Sequence, residues 1–191
     1  IIGHVIVPYA GNDAYDGHPD HIGAWPADSY YADLDGTWTD DSVDNTDAGR
    51  TENKNSIGDG KFDQAYIPSD LELEVGRVDF FNMPAFLKNE IQLLRQYFDK
   101  DHKFRTGQIK ARRRGVVLDN FNFQNEGFAQ SGYRACSAFF GPDSTSTADY
   151  RTSLLNGSYL WSYGAGGGWY EGAGGISTTQ NMAVDSLQGI F

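Results

Sequence analysis

Apolar residues in this chain gather into short runs separated by long polar stretches. Four runs, residues 5–9, 73–78, 115–118 and 159–163, are bounded by Gly, Pro, Asp or Asn and read as buried strands. Between the later runs the apolar positions take up helical spacing. The clearest stretch covers residues 84–98, where Phe86, Leu87, Ile91, Leu94, Tyr97 and Phe98 recur on one face and Asn82 stands ahead as an N-cap. Further helices are expected over 126–138, 148–155 and 178–187. Strands alternating with helices predict an α/β fold with a mostly parallel sheet and flanking helices.

In such a sheet, chemistry lies beyond the carboxyl ends of the strands. Three runs end in polar sequence: 5–9 in Ala-Gly-Asn and a His/Asp loop, 115–118 in Asp119-Asn120-Phe121-Asn122, and 159–163 in glycine. These endings are expected on one rim. Residues 10–68 carry almost no periodicity and form a long acidic loop, a length that points to function or to order supplied by something other than an apolar core.

That loop contains Asp33-Leu-Asp35-Gly36 and Asp59-Gly60-Lys-Phe-Asp63. Alternating carboxylates around a glycine suit a hard cation, and Asp33, Asp35, Asp59 and Asp63 are the candidate calcium ligands. The EF-hand pattern is not met, and the competing reading is a solvated surface in which Asp and Asn cap their own backbone. A second cluster, Asp13, Asp16, His18, Asp20 and His21, mixes imidazole and carboxylate. Gly17 and Pro19 forbid a helix that would set His18 and His21 on one face, so hydrogen-bonded loop residues compete with a metal site. Cys136 sits at helical spacing with Tyr133, Phe139 and Phe140, which reads as core. Trp25, Trp38 and Trp169 fall in loop-like sequence, where they either stack on sugar rings or pin loops to the core.

The net charge of −11 and a pI near 4.6 argue against a nucleic-acid partner, since the one basic stripe, residues 110–114, is short and leads into a strand. A single cysteine excludes an internal disulfide framework. No run approaches the ~18 apolar residues of a membrane span. Apolar sequence at both ends suggests a piece of a longer polypeptide.

Seven of the twelve residues from 164 to 175 are glycine, which predicts either a floppy loop or a backbone that something approaches closely. Asp28-Ser-Tyr-Tyr-Ala-Asp-Leu-Asp-Gly-Thr-Trp, an acidic stretch, and Glu74-Val-Gly-Arg-Val-Asp leading to a helix together resemble the gingipain family of cysteine peptidases. Gly115-Val-Val-Leu-Asp-Asn is similar to the first strand of that family's second subdomain. Leu155-Asn-Gly-Ser-Tyr-Leu-Trp-Ser-Tyr-Gly-Ala-Gly-Gly resembles the strand that delivers its catalytic histidine in a Tyr-x-Gly-His-Gly turn. The resemblance covers most of residues 28–190. It implies a caspase-like fold of two subdomains, 1–105 and 106–191, an extracellular or cell-surface location, and a peptide or protein segment as partner. It also implies that Ala165 stands where the histidine is expected, with Gly164 and Gly166 offering oxyanion-type backbone, and that the nucleophile strand would follow Phe191. The expectation is therefore a peptidase-like domain without a competent dyad. The rivals are a secreted glycan- or surface-polymer-binding module using Trp25, Trp38 and Trp169, and a structural domain of a large surface protein.

Overall fold

The structure, a computed structural model, describes residues 1–121, 129–185, 187, 189 and 190. It is a mixed α/β fold with three small sheets: a two-stranded antiparallel ribbon, a three-stranded parallel sheet and a three-stranded antiparallel sheet. The chain divides into two compact units, Ile1–Phe81 and Asn82–Phe191, so the helix placed by sequence before a boundary at 105 belongs to the second.

In the first unit, β1 (Tyr9–Asp13) pairs antiparallel with β2 (Gly23–Pro26). The ladder slips between Ala10 and Asp13, and Gly11 takes φ +104° at that slip, a conformation side chains rarely adopt. The apolar run 5–9 is therefore not a buried strand, and Ile6 is largely exposed. Residues 73–78 form no strand either; Val78 makes a single parallel bridge to Ile2, and Leu71 and Leu73 are about half exposed. Apolar content without a neighbouring strand edge gave these runs nothing to pair with.

What the first unit buries is small or polar. Ala24, Ala32 and Ala48 are buried together with Asp33, Asn53 and Asn55. The Asn55 amide, at 0% exposure, donates to the carbonyls of Gly11 and Phe62 and ties β1 to the acidic loop. Polar groups carry the order that apolar burial supplies elsewhere.

The second unit opens with α1 (Glu90–Arg105). Sequence placed its start near residue 84, with Asn82 as the cap. Asn82 instead has φ +50°, and the helix begins where Asn89 and Gln92 form a reciprocal capping box. The inward face shifts accordingly: Leu93 is buried while Ile91 is exposed.

Downstream come β3 (Gly115–Asp119), α2 (Gln130–Phe140), β4 (Thr145–Thr147), α3 (Tyr150–Asn156) and β5 (Trp161–Ala165). The expected beginning of α2 at 126–128, and Asn122, lie outside the described residues. The three strands are parallel in the order β4-β3-β5. Successive side chains of β3 point to opposite faces. Val116 packs with Leu154 of α3 and Tyr159, while Val117 packs with Ala129 and Cys136 on the α2 side. Each valine is fully buried and contributes roughly 1.5–3 kcal/mol. Strand β4, Thr-Ser-Thr at the sheet edge, had no apolar signature to announce it.

After β5 the chain folds into β6 (Gly168–Trp169), β7 (Gly172–Ala173) and β8 (Ser177–Thr178), and α4 (Thr179–Val184) follows. The Thr178 side chain accepts the Asn181 N–H and caps α4.

Candidate functional site

Asp33, Asp35 and Glu72 bring one carboxylate oxygen each to within 4.8 Å of one another. Asp33 is placed by the turn after the short 3-10 helix Asp28–Tyr31. Its Oδ1 accepts the Gly36 N–H at 2.8 Å, and its Oδ2 accepts the Trp38 indole N–H at 3.1 Å. Glu72 arrives from the segment whose Glu72 and Leu73 N–H groups donate to the Ala32 carbonyl, and its own carboxylate accepts the Leu34 N–H at 2.7 Å. The Ser69 hydroxyl stands 2.5 Å from Asp33 and 2.8 Å from Asp35. One hydroxyl carries one proton, so it serves only one of these two oxygens at a time. Donation from Ser69, with the Gly36 and Trp38 N–H groups, holds the Asp33 carboxyl below the ordinary carboxylate range against its burial. An ionised Asp33 beside Asp35 and Glu72 is a donor set that fits a divalent cation, with hard oxygens as its only ligand type.

The other two expected calcium ligands lie elsewhere. Burial would raise the Asp63 carboxyl, but the Asp41 and Val43 N–H groups and the Thr39 hydroxyl outweigh it and hold Asp63 far below its usual value. Asp59 accepts the Ser56 and Lys61 N–H groups and pairs with the Lys61 ammonium at 2.8 Å. Asp40, not singled out by sequence, accepts the Gly58 and Gly60 N–H groups. Asp59 and Asp63 thus act as caps on the loop's own backbone. Glu72 is hard to read as a ligand from sequence because it is remote from Asp35 and lies just ahead of the apolar run 73–78. Its signal was the acidic alternation Leu71-Glu72-Leu73-Glu74.

In the His/Asp loop, the His18 and His21 rings stack with centroids 4.3 Å apart, and His21 Nδ1 lies 2.8 Å from Asp16. These residues do not join the three-carboxylate group, the one metal-type convergence among the described residues. Trp25 donates its indole N–H to the His21 carbonyl at 2.9 Å, and the Trp38 ring packs against Tyr30 and Phe62. Trp169 lies half exposed in β6.

In the second unit, Asp119 and Ala165 are register partners at the carboxyl ends of β3 and β5, and the Asn120 N–H donates to the Ala165 carbonyl at 2.8 Å. The chain leaves β3 for β4 on one side and returns to β5 on the other, so this pair marks the topological switch point. The Ala165 methyl packs against the Val117, Ala129 and Cys136 cluster. The surrounding glycines are explained by close approach. A Cβ on Gly164 would lie 2.6 Å from Ile176, and one on Gly166 would run into the Gly174 carbonyl. Burial pushes the Cys136 thiol up, away from thiolate chemistry.

No helix among the described residues is long and apolar enough to cross a membrane. The chain matches no protein-family model, no curated protein and no solved structure.

The depressed carboxyls fix an acid limit. Asp28 is held down first by the Arg77 guanidinium, and Asp33 and Asp63 by the donors described above. A folded pKa below the unfolded value of about 3.9 gives stability that is complete above about pH 5 and lost as pH falls through the folded pKa. Circular-dichroism melting is expected to change little between pH 7 and about pH 5 and to fall steeply below about pH 4. A melting temperature that rises on acidification through that window would contradict the assignment.

Proposed function

We propose that the chain is a calcium-stabilised, non-catalytic domain of the caspase-like, gingipain-resembling class, serving as a structural or binding module outside the cell or at its surface. The observation that carries this reading is the convergence of Asp33, Asp35 and Glu72 in a unit whose buried side chains are alanines, asparagines, a proline and an aspartate. Calcium bound there would supply positive charge to three carboxylates and join residues 33–35 to residue 72 across the acidic loop. Asp33 would be held in place for it by Gly36 and Trp38, and Glu72 by Leu34.

The caspase-like part of the reading is supported by the parallel order β4-β3-β5 with helices on both faces. Its non-catalytic part is supported by Ala165 at the switch point, where a methyl group neither accepts nor donates a proton. Cys136 offers no substitute nucleophile, being buried with its thiol kept protonated.

The purified chain is expected to leave fluorogenic peptide substrates with Arg, Lys, Asp or Leu before the scissile bond uncleaved, with and without calcium. Turnover that a thiol-reactive inhibitor abolishes would overturn the non-catalytic assignment.

A further inference from the structure

Three cavities of the first unit have wall residues in common. The first, about 340 Å³, is walled by Asp13, Asp16, His21 and Trp25. The second, about 170 Å³, shares Asp13 and Trp25 with it and reaches Trp38 and Tyr66. The third, about 390 Å³, continues from Trp38 past Tyr30 to Asp33. Together they make a grooved surface on which the rings of Trp25, Trp38 and Tyr66 stand beside the carboxylates of Asp13, Asp16 and Asp33.

Charge selects what such a groove takes. The first unit carries seventeen acidic residues against four basic ones, whereas the second carries nine against eleven. Of the four cations, Arg77 is held by Asp28 and Lys61 by Asp59. Asp13, on the wall common to the first two cavities, is exposed and makes no side-chain hydrogen bond or ion pair among the described residues. Beside it stands the Trp25 indole, over which the Arg50 guanidinium already lies at 5.6 Å from the ring centroid. That ring already engages a cation of the chain itself, which an incoming Lys or Arg must displace or share.

The indole N–H groups of Trp25 and Trp38 are committed to the His21 carbonyl and to Asp33. The Ser29, Tyr30 and Tyr66 hydroxyls on the walls could serve a sugar, so it is the excess of carboxylates that favours a Lys or Arg side chain, which brings only donors and a positive charge.

We propose that this groove binds an extended polypeptide segment rich in Lys or Arg, with one cationic side chain seated between the Asp13 carboxylate and the Trp25 ring. The apolar stem of that side chain lies along the indole, and the flanking residues of the segment pass Trp38 and Tyr66. The site is separate from the Asp33, Asp35 and Glu72 cluster in its key residues, so each can be removed without the other.

Fluorescence anisotropy of a labelled peptide alternating Arg and Ser, titrated with the whole chain in saturating calcium, tests the proposal. Saturable binding is expected, weakened by added salt. Asp13→Asn and Trp25→Phe are each expected to weaken it about five- to tenfold. Asp44→Asn, the same charge change at an exposed position lining none of the three cavities, is expected to weaken it less than about twofold. Melting curves on each variant test that the fold is kept, and Asp13→Asn removes no side-chain hydrogen bond or ion pair among the described residues. Absence of saturable binding would overturn the proposal. So would an Asp44→Asn loss equal to that of Asp13→Asn, which marks diffuse attraction. Binding of neutral oligosaccharides in place of the peptide, lost in Trp25→Phe, would assign the groove to glycans instead.

Discussion

Replacing Asp63 with alanine is expected to cost the chain about 2–4 kcal/mol and to open the acidic loop. The Asp63 carboxylate collects the Thr39 hydroxyl at 2.8 Å and the N–H groups of Asp41 and Val43 at 2.9 Å each, with Ser42 at 3.4 Å. Residues 39–43 form no helix or ladder, so these donors have no partner waiting if the carboxylate goes. Water recovers part of the loss because the site is only partly buried, which keeps the expected cost near that of one or two charge-assisted bonds. Asp63→Asn keeps one acceptor oxygen and is expected to lose about half as much. Thermal unfolding of the three proteins at neutral pH measures this. An alanine variant within about 0.5 kcal/mol of the parent would show that the loop is ordered by something else.

The second large effect is that of calcium. A ligand that binds only the folded chain stabilises it by about 2.7 kcal/mol at a concentration one hundred times its dissociation constant. With net charge −11 and three carboxylates at one point, the folded chain without a counter-ion carries concentrated repulsion that a divalent cation relieves. Saturating calcium is therefore expected to raise the melting temperature by several degrees and slow proteolysis between residues 33 and 72, with chelator reversing both. Asp35→Asn with Glu72→Gln is expected to abolish the calcium effect while changing the stability of the chelated protein by less than about 1 kcal/mol, because relief of charge repulsion offsets weaker bonds from the Leu34 N–H and the Ser69 hydroxyl. If magnesium and calcium protected equally, the site would lack the larger, irregular oxygen shell that suits calcium.

The parallel sheet was the part of the fold most open to reading in sequence. Val116 and Val117 lie in an apolar run long enough for a strand buried on both faces, and the helices that cover them, α2 and α3, follow at the spacing a parallel unit needs. The first unit resisted the same reading because its order is polar. An Asp that caps a distant turn and an Asp that joins a cation site look alike along the chain, and only folding separates Asp63, satisfied by backbone, from Asp33, which meets Asp35 and Glu72. The apolar run at 5–9 misled for the opposite reason, since the pairing strand forms at Tyr9–Asp13, where a left-handed glycine permits the bulge. The start of α1 was hidden behind competing asparagines, and the choice of Asn89 over Asn82 rests on the Gln92 side chain that completes the box. The glycine cluster was legible as a place of close approach, and the partners turned out to be Ile176 and the Gly174 carbonyl.

Calorimetric titration of calcium into the chelator-stripped chain tests directly whether Asp33, Asp35 and Glu72 hold a calcium ion. One saturable binding event per chain is expected, lost in Asp35→Asn with Glu72→Gln and kept in Asp59→Asn. No saturable heat in the parent, or binding undiminished in the double variant, would contradict it.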